Sequence, residues 1–177
     1  GTELERMARE SNFRIFNFSP ADIGGRYSAL SLFGLVPAAM IGIDLDKLLQ
    51  RARKMARDCR STAPAEANPG LVLGTIMGEL ARHPSQPRDK LILLTSPELA
   101  PFGAWVEQLI AESTGKENVG IVPVIGECPD EMIQNGSDRL FVYLRLASGD
   151  NESRDSLIAR AVAARHPAVV LRANDIY

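Results

Sequence analysis

The run Lys90-Leu91-Ile92-Leu93-Leu94-Thr95 constrains the fold more than any other stretch of this chain. It is apolar without alternation and of strand length. Such runs suit a strand buried on both faces, as in a parallel sheet covered by helices. Ser96 and Pro97 then read as a helix start, and the pattern predicts a helix over 98–114. Leu99, Phe102, Val106, Leu109 and Ile110 would face the sheet, with Gly115 just past the helix end. Further strand patterns lie at 119–124, weakened by Pro123, at 139–146 and at 168–171, with a helix predicted over 153–165. Alternating strands and helices predict an α/β fold: a three-layer αβα sandwich around a doubly wound, mainly parallel, Rossmann-like sheet.

The first half reads differently. Residues 1–12 are an N-terminal extension or short helix, with Leu4, Met7 and Ala8 on one face. Phe13-Arg14-Ile15-Phe16 alternates like a short strand, and residues 31–42 read as a buried helix containing Pro37. Asp44 can cap a helix over 45–60 whose apolar stripe is Leu45, Leu48, Leu49, Ala52, Met55, Ala56 and Cys59. Lys47, Arg51, Lys54 and Arg57 lie off that stripe. They could hold a phosphate, but interleaved Asp46 and Asp58 favour a solvated face. Asn68 and Pro69 open a helix running to about Arg82, with Gly70, Gly74 and Gly78 on one side to admit a neighbouring backbone.

Composition narrows the function classes. Twenty basic residues against 22 acidic ones give a net charge of −2, which points to no nucleic acid or anionic membrane. The longest apolar run, 29–43, is shorter than the ~20 residues of a membrane span and is broken by Ser31, Gly34, Pro37 and Gly42. Cys59 and Cys128 fit no metal or redox spacing and read as free thiols in a reducing cytoplasm.

Two stretches carry chemistry. In Asp22-Ile23-Gly24-Gly25-Arg26-Tyr27-Ser28 the glycines permit close approach, and Arg26 presents a planar, always-charged fork. Taken alone this is a tight turn with a surface arginine. Glu112 lies in the last predicted helical turn, seven residues after Trp105 and so on the same side. Partial burial and a helix C-terminus would both raise its proton affinity toward that of a general base. Taken alone it is an ordinary solvated glutamate. Lys116 offsets the helix dipole, and His83 and His166, each before a proline, read as surface residues. There is no Ser-His-Asp order, metal-ligand spacing or phosphate loop.

The first of these stretches, with Gly34-Leu35-Val36-Pro37-Ala38-Ala39 after it, resembles the signature of the phosphoglucose isomerase family. The segment 105–116, ending Ala-Glu-Ser-Thr-Gly-Lys, resembles the family's Glu-Ser-Asn-Gly-Lys stretch, with Thr114 in place of Asn. Its wording is most similar to the isomerase part of transaldolase–isomerase fusions. The resemblance implies a sugar isomerase (SIS) domain over 13–177, the second of two. It implies interconversion of glucose 6-phosphate and fructose 6-phosphate without cofactor or metal. Glu112 would be the proton-shuttling base and Arg26 the stabiliser of a cis-enediolate. Gly24, Gly25 and Ser28 would line the sugar phosphate, in a cleft expected at the carboxyl ends of the strands.

Other family parts are not found in this sequence. The Ser/Thr-rich phosphate loop, the Gly-Gln-His segment that opens the sugar ring and the C-terminal tail are missing. The expectation is therefore a half-site, inactive alone, whose partners are the first SIS domain and the C-terminal segment of a longer chain. Apolar surface left uncovered could also pair two copies as a homodimer. The alternatives are a non-catalytic, SIS-type regulatory domain that binds sugar phosphate, and an isomerase that also accepts mannose phosphates.

Overall fold

A computed structural model describes residues 2–14, 20, 22–126 and 129–177. The strand expected at 13–16 lies largely outside them, as does Cys128. The chain divides into two compact units, residues 1–51 and 52–177.

In the first unit, α1 (Glu3–Glu10) starts at Thr2, whose hydroxyl accepts from Glu5 N. Arg6 pairs with Glu3 and Glu10, and Arg9 with Glu5. Ser31 caps α2 (Leu32–Met40) through a bond from Phe33 N. The expected burial of this helix does not hold. None of its residues is buried, and Leu32, Phe33, Val36 and Met40 are exposed. The helix is apolar nearly all round, and a unit of this size has too little chain to cover every side. Asp44 caps α3 (Leu45–Asp58), which spans the division between the units, by accepting from Lys47 N. The α3 stripe is half-buried at Leu45, Leu48, Leu49 and Ala52, then becomes exposed at Met55 and Ala56. Lys54 pairs with Asp58 at 2.7 Å, in keeping with a solvated basic face.

The second unit is the α/β domain. Asn68 caps α4 (Pro69–Ala81), its Oδ1 accepting from Leu71 N at 2.9 Å. Strands β1 (Lys90–Thr95), β2 (Val122–Val124), β3 (Arg139–Leu146) and β4 (Ala168–Ala173) form one sheet in the order β2-β1-β3-β4, parallel throughout. Helix α4 packs one face through Ile76, Met77 and Leu80, with Val106 of α5 (Phe102–Thr114) beside it, against Leu91, Leu93, Leu140 and Val142. The other face carries α6 (Pro129–Gln134) and α7 (Glu152–Ala163). There Met132, Leu157, Ile158 and Ala161 close over Ile92, Phe141 and Tyr143. This is the three-layer, doubly wound sandwich the apolar runs predict.

Several local expectations are corrected. Helix α5 begins at Phe102 after a 3₁₀ turn over Pro97–Leu99, because the Ser96 hydroxyl is engaged elsewhere and caps nothing. Phe102 is exposed and sits against Trp105, ring centroids 5.0 Å apart, rather than facing the sheet. Strand β2 is half its expected length: Val119 instead closes a tight turn with Lys116. Helix α6 has no counterpart in the sequence reading. His166 is buried, its Nε2 3.1 Å from Ile133 O and its ring 5.2 Å from that of Phe141. A Cβ on Gly74 or Gly78 would meet nothing within 4 Å, so no neighbouring backbone approaches them. They line an open groove of about 590 Å³ with Gly70, Leu71, Thr75, Glu79 and Arg82. Cys59 is a half-buried free thiol.

Candidate active site

A helix that follows a parallel strand must run back along it, so α5 carries Glu112 toward the amino edge of the sheet. Thr114 fixes this end. Its hydroxyl donates to Ile110 O at 2.8 Å and accepts from Ile121 N at 2.9 Å, tying the last helical turn to the approach of β2. Lys116 Nζ donates to Glu112 O at 2.6 Å, satisfying a carbonyl that the helix leaves without an internal partner. Gly115 ends the helix as expected, but with φ −73°. Space requires it: a Cβ there would lie 2.6 Å from Ala111 O. Beyond it Glu117 and Asn118 both adopt positive φ, 52° and 64°, in the tight turn that Val119 closes. Gly115, Asn118 and Gly120 line a hollow of about 380 Å³ with Glu107, Ala111 and Asp89.

Two expectations for Glu112 change here. Its side chain is exposed, not partly buried. It stands at the amino edge of the strands, not in a cleft at their carboxyl ends. One residue the sequence reading missed is Gln108, whose amide donates to Glu112 Oε1 at 3.2 Å. The spacing of four was the available signal, since residues so placed meet on a helix surface.

At the carboxyl ends, the strand order reverses between β1 and β3. That crevice is filled by the chain's own polar groups. Ser96 Oγ donates to Asn151 Oδ1 at 2.6 Å and accepts from Leu146 N at 2.8 Å. Tyr143 OH donates to the same Oδ1 at 2.7 Å. Asn151 Nδ2 donates to Leu146 O and Gly149 O. Both donors and both acceptor sites of the amide are used. Burial pushes the Tyr143 hydroxyl above its ordinary range of about 10. Outside this network, Arg145 holds the Asp155 carboxyl below the usual carboxylate range and links β3 to α7.

The Gly-Gly-Arg stretch belongs to the first unit. Arg26 is half-buried in a 3₁₀ turn over Gly25–Tyr27, where Tyr27 N donates to Gly24 O and Ser28 N to Gly25 O. Ser28 Oγ also donates to Gly25 O, at 2.8 Å, so this hydroxyl is engaged locally. Gly24 has φ −71°, which any residue adopts, and a Cβ on Gly24 or Gly25 would meet nothing within 4 Å. Neither the backbone angles nor crowding within the chain requires this pair. Among the described residues no three His, Cys, Asp or Glu side chains form a metal-binding group, and no helix is long and apolar enough to cross a membrane.

The second unit is thus a doubly wound parallel α/β domain with an acid on the last turn of its first crossover helix. The chain belongs to the phosphoglucose isomerase family, whose profile matches residues 3–136. Similar proteins include a glucose-6-phosphate isomerase of Methanocaldococcus jannaschii, 34% identical over 126 residues, covering 71% of this chain and 30% of that protein. A glucose-6-phosphate isomerase of Leptospira biflexa is 26% identical over 95% of this chain and 41% of its own length. One of Staphylococcus saprophyticus is 34% identical over 88% of this chain and 35% of its own. The chain spans from 30% to 41% of the length of these relatives.

Proposed function

We propose that this chain is the second-domain part of a longer isomerase that interconverts glucose 6-phosphate and fructose 6-phosphate. The observation that carries the reading is family membership across both stretches singled out by their chemistry. In the forward direction Glu112 takes the proton from C2 of the open-chain aldose. The electron pair left on C2 forms the enediolate with the C1 carbonyl. Glu112 then returns a proton to C1 while the proton of the C2 hydroxyl passes to the C1 oxygen, giving the ketose. Arg26 stands by the enediolate oxygens, where negative charge develops, and a preorganised cation acts most strongly there. The exposure of Glu112 fits a site completed by further polypeptide, which would supply the phosphate grip and the ring-opening acid.

The open space over Gly24 and Gly25 supports their role in substrate approach. Gly25→Ala is expected to leave the melting transition unchanged within about 0.5 kcal/mol. It should raise KM for glucose 6-phosphate about tenfold in a coupled isomerase assay of the longer protein. A large loss of stability with unchanged kinetics would make Gly25 structural only. Tight sugar-phosphate binding without turnover in the unaltered longer protein would favour a regulatory, non-catalytic domain instead.

A further inference from the structure

Glu112 stands on the last turn of α5, and helix ends fray because their final carbonyls have no internal partner. Here three successive carbonyls are each held by the residue four positions on, twice through a side chain. Thr114 Oγ1 donates to Ile110 O at 2.8 Å, Gly115 N to Ala111 O at 2.8 Å, and Lys116 Nζ to Glu112 O at 2.6 Å. The Thr114 hydroxyl also reaches out of the helix, accepting from Ile121 N at 2.9 Å. Ile121 packs on the apolar layer of Leu91, Leu93, Leu140 and Val142, so this one oxygen fastens the Glu112 turn to the sheet. The loop between is closed on itself. Lys116 and Val119 exchange backbone bonds of 2.9 and 2.8 Å, and a Cβ on Gly120 would lie 3.0 Å from Gly115 Cα.

We propose that Thr114 and Lys116 are positioning residues for Glu112. Together they set the direction of the last α5 turn, and so the place of the carboxylate when the proton moves. The inference rests on Glu112 being the base of the isomerisation. An exposed side chain is not aimed by packing, so its aim falls to the backbone that carries it. Gln108 bonds the Glu112 carboxylate but sits on the same helix, so it cannot fix that turn against the sheet. The Thr114 hydroxyl can, because its two bonds join the helix to the approach of β2. Lys116 holds the peptide group of Glu112 itself. The leverage is large: a displacement of about 1 Å at a reacting group can cost about a hundredfold in rate.

The test is steady-state kinetics of the longer isomerase carrying Thr114→Val, Thr114→Ser or Lys116→Met, each alone and with Glu112→Gln, beside its melting transition. Thr114→Val keeps the shape and removes both bonds. It is expected to lower kcat about ten- to a hundredfold, with KM within about twofold. Thr114→Ser keeps the hydroxyl and should restore kcat to within about threefold. Lys116→Met should lower kcat about three- to tenfold, again with KM nearly unchanged. In the Glu112→Gln background Thr114→Val and Lys116→Met should each cost less than about twofold, because no carboxylate is left to aim. Normal kcat in either variant, whatever its melting temperature, overturns the proposal. So does a serine variant as slow as valine, or an equal loss with and without Glu112. When Glu112→Gln alone is slow, those results reject the positioning role and leave the base in place. Undiminished turnover in Glu112→Gln rejects the base, and the positioning role with it. If the valine variant does not fold, the exposed change Lys116→Met decides by the same kcat and background criteria.

Discussion

Glu112→Gln is expected to lower kcat of the longer isomerase by about 10²–10⁴-fold, the range that a positioned general base contributes. The amide keeps the size of the side chain and an oxygen that can accept from Gln108, so the helix surface is preserved. Glu112 is exposed, and its replacement should shift stability by no more than about 0.5 kcal/mol. The loss should fall on kcat and leave KM nearly unchanged, because the carboxylate acts on a proton in flight rather than on the bound sugar. A coupled assay over a range of substrate concentrations separates the two. Undiminished turnover, or a raised KM with normal kcat, would remove Glu112 from proton transfer.

The largest effect on stability is expected from Asn151→Ala. This side chain accepts from Ser96 and Tyr143 and donates to Leu146 O and Gly149 O, while itself only 5% exposed. Truncation strands two buried hydroxyl donors and Gly149 O at the crossing of β1 and β3, and leaves Leu146 O with Gly149 N alone. Each unsatisfied buried group costs about 1–3 kcal/mol, but neighbours share the loss. A total on the order of 3–5 kcal/mol is therefore expected, read as a lowered denaturation midpoint in urea. Tyr143→Phe should cost less, because it takes the hydroxyl away together with its need for a partner. A change below about 1 kcal/mol for Asn151→Ala would mean that water replaces the amide and that the network does not fix the crossing.

Sequence reading recovers elements whose neighbours are local or whose environment is uniform. Strands β1 and β3 are found at their bounds because burial on both faces writes itself as an unbroken or nearly unbroken apolar run. The caps at Asn68 and Asp44 are found because a cap and its N–H lie three residues apart. Failures come from partners distant in sequence. Ser96 resembles a cap for the helix after it, yet its hydroxyl is captured by Leu146 N and Asn151, 50 and 55 positions away. His166 looks like a loop histidine beside a proline until Ile133 and Phe141 enclose it. Helix α6 has only six residues, too few for a 3.6-residue period to show.

The candidate site divides in the same way. The identities of Arg26 and Glu112 stand out through their surrounding motifs, and both segments lie within the residues that the family profile matches. The edge of the sheet on which Glu112 stands follows from topology, since a crossover helix returns to the end where its strand began. Its exposure does not follow from the spacing to Trp105: that residue is only half-buried, and the α5 surface turns outward within one more turn. Thr114 looked like a departure from the family's pattern. Here it bridges Ile110 O and Ile121 N, a role that neither Ala nor Val could fill.

The central proposal is that Arg26 and Glu112 serve one transition state, and a kinetic double-mutant cycle in the longer isomerase tests it most directly. Arg26→Ala alone is expected to lower kcat/KM about 10²–10³-fold. In the Glu112→Gln background, where the enediolate no longer forms by the same route, it should cost less than about tenfold, because residues that act as a unit are not additive. Equal losses in both backgrounds would contradict a shared role for the two side chains.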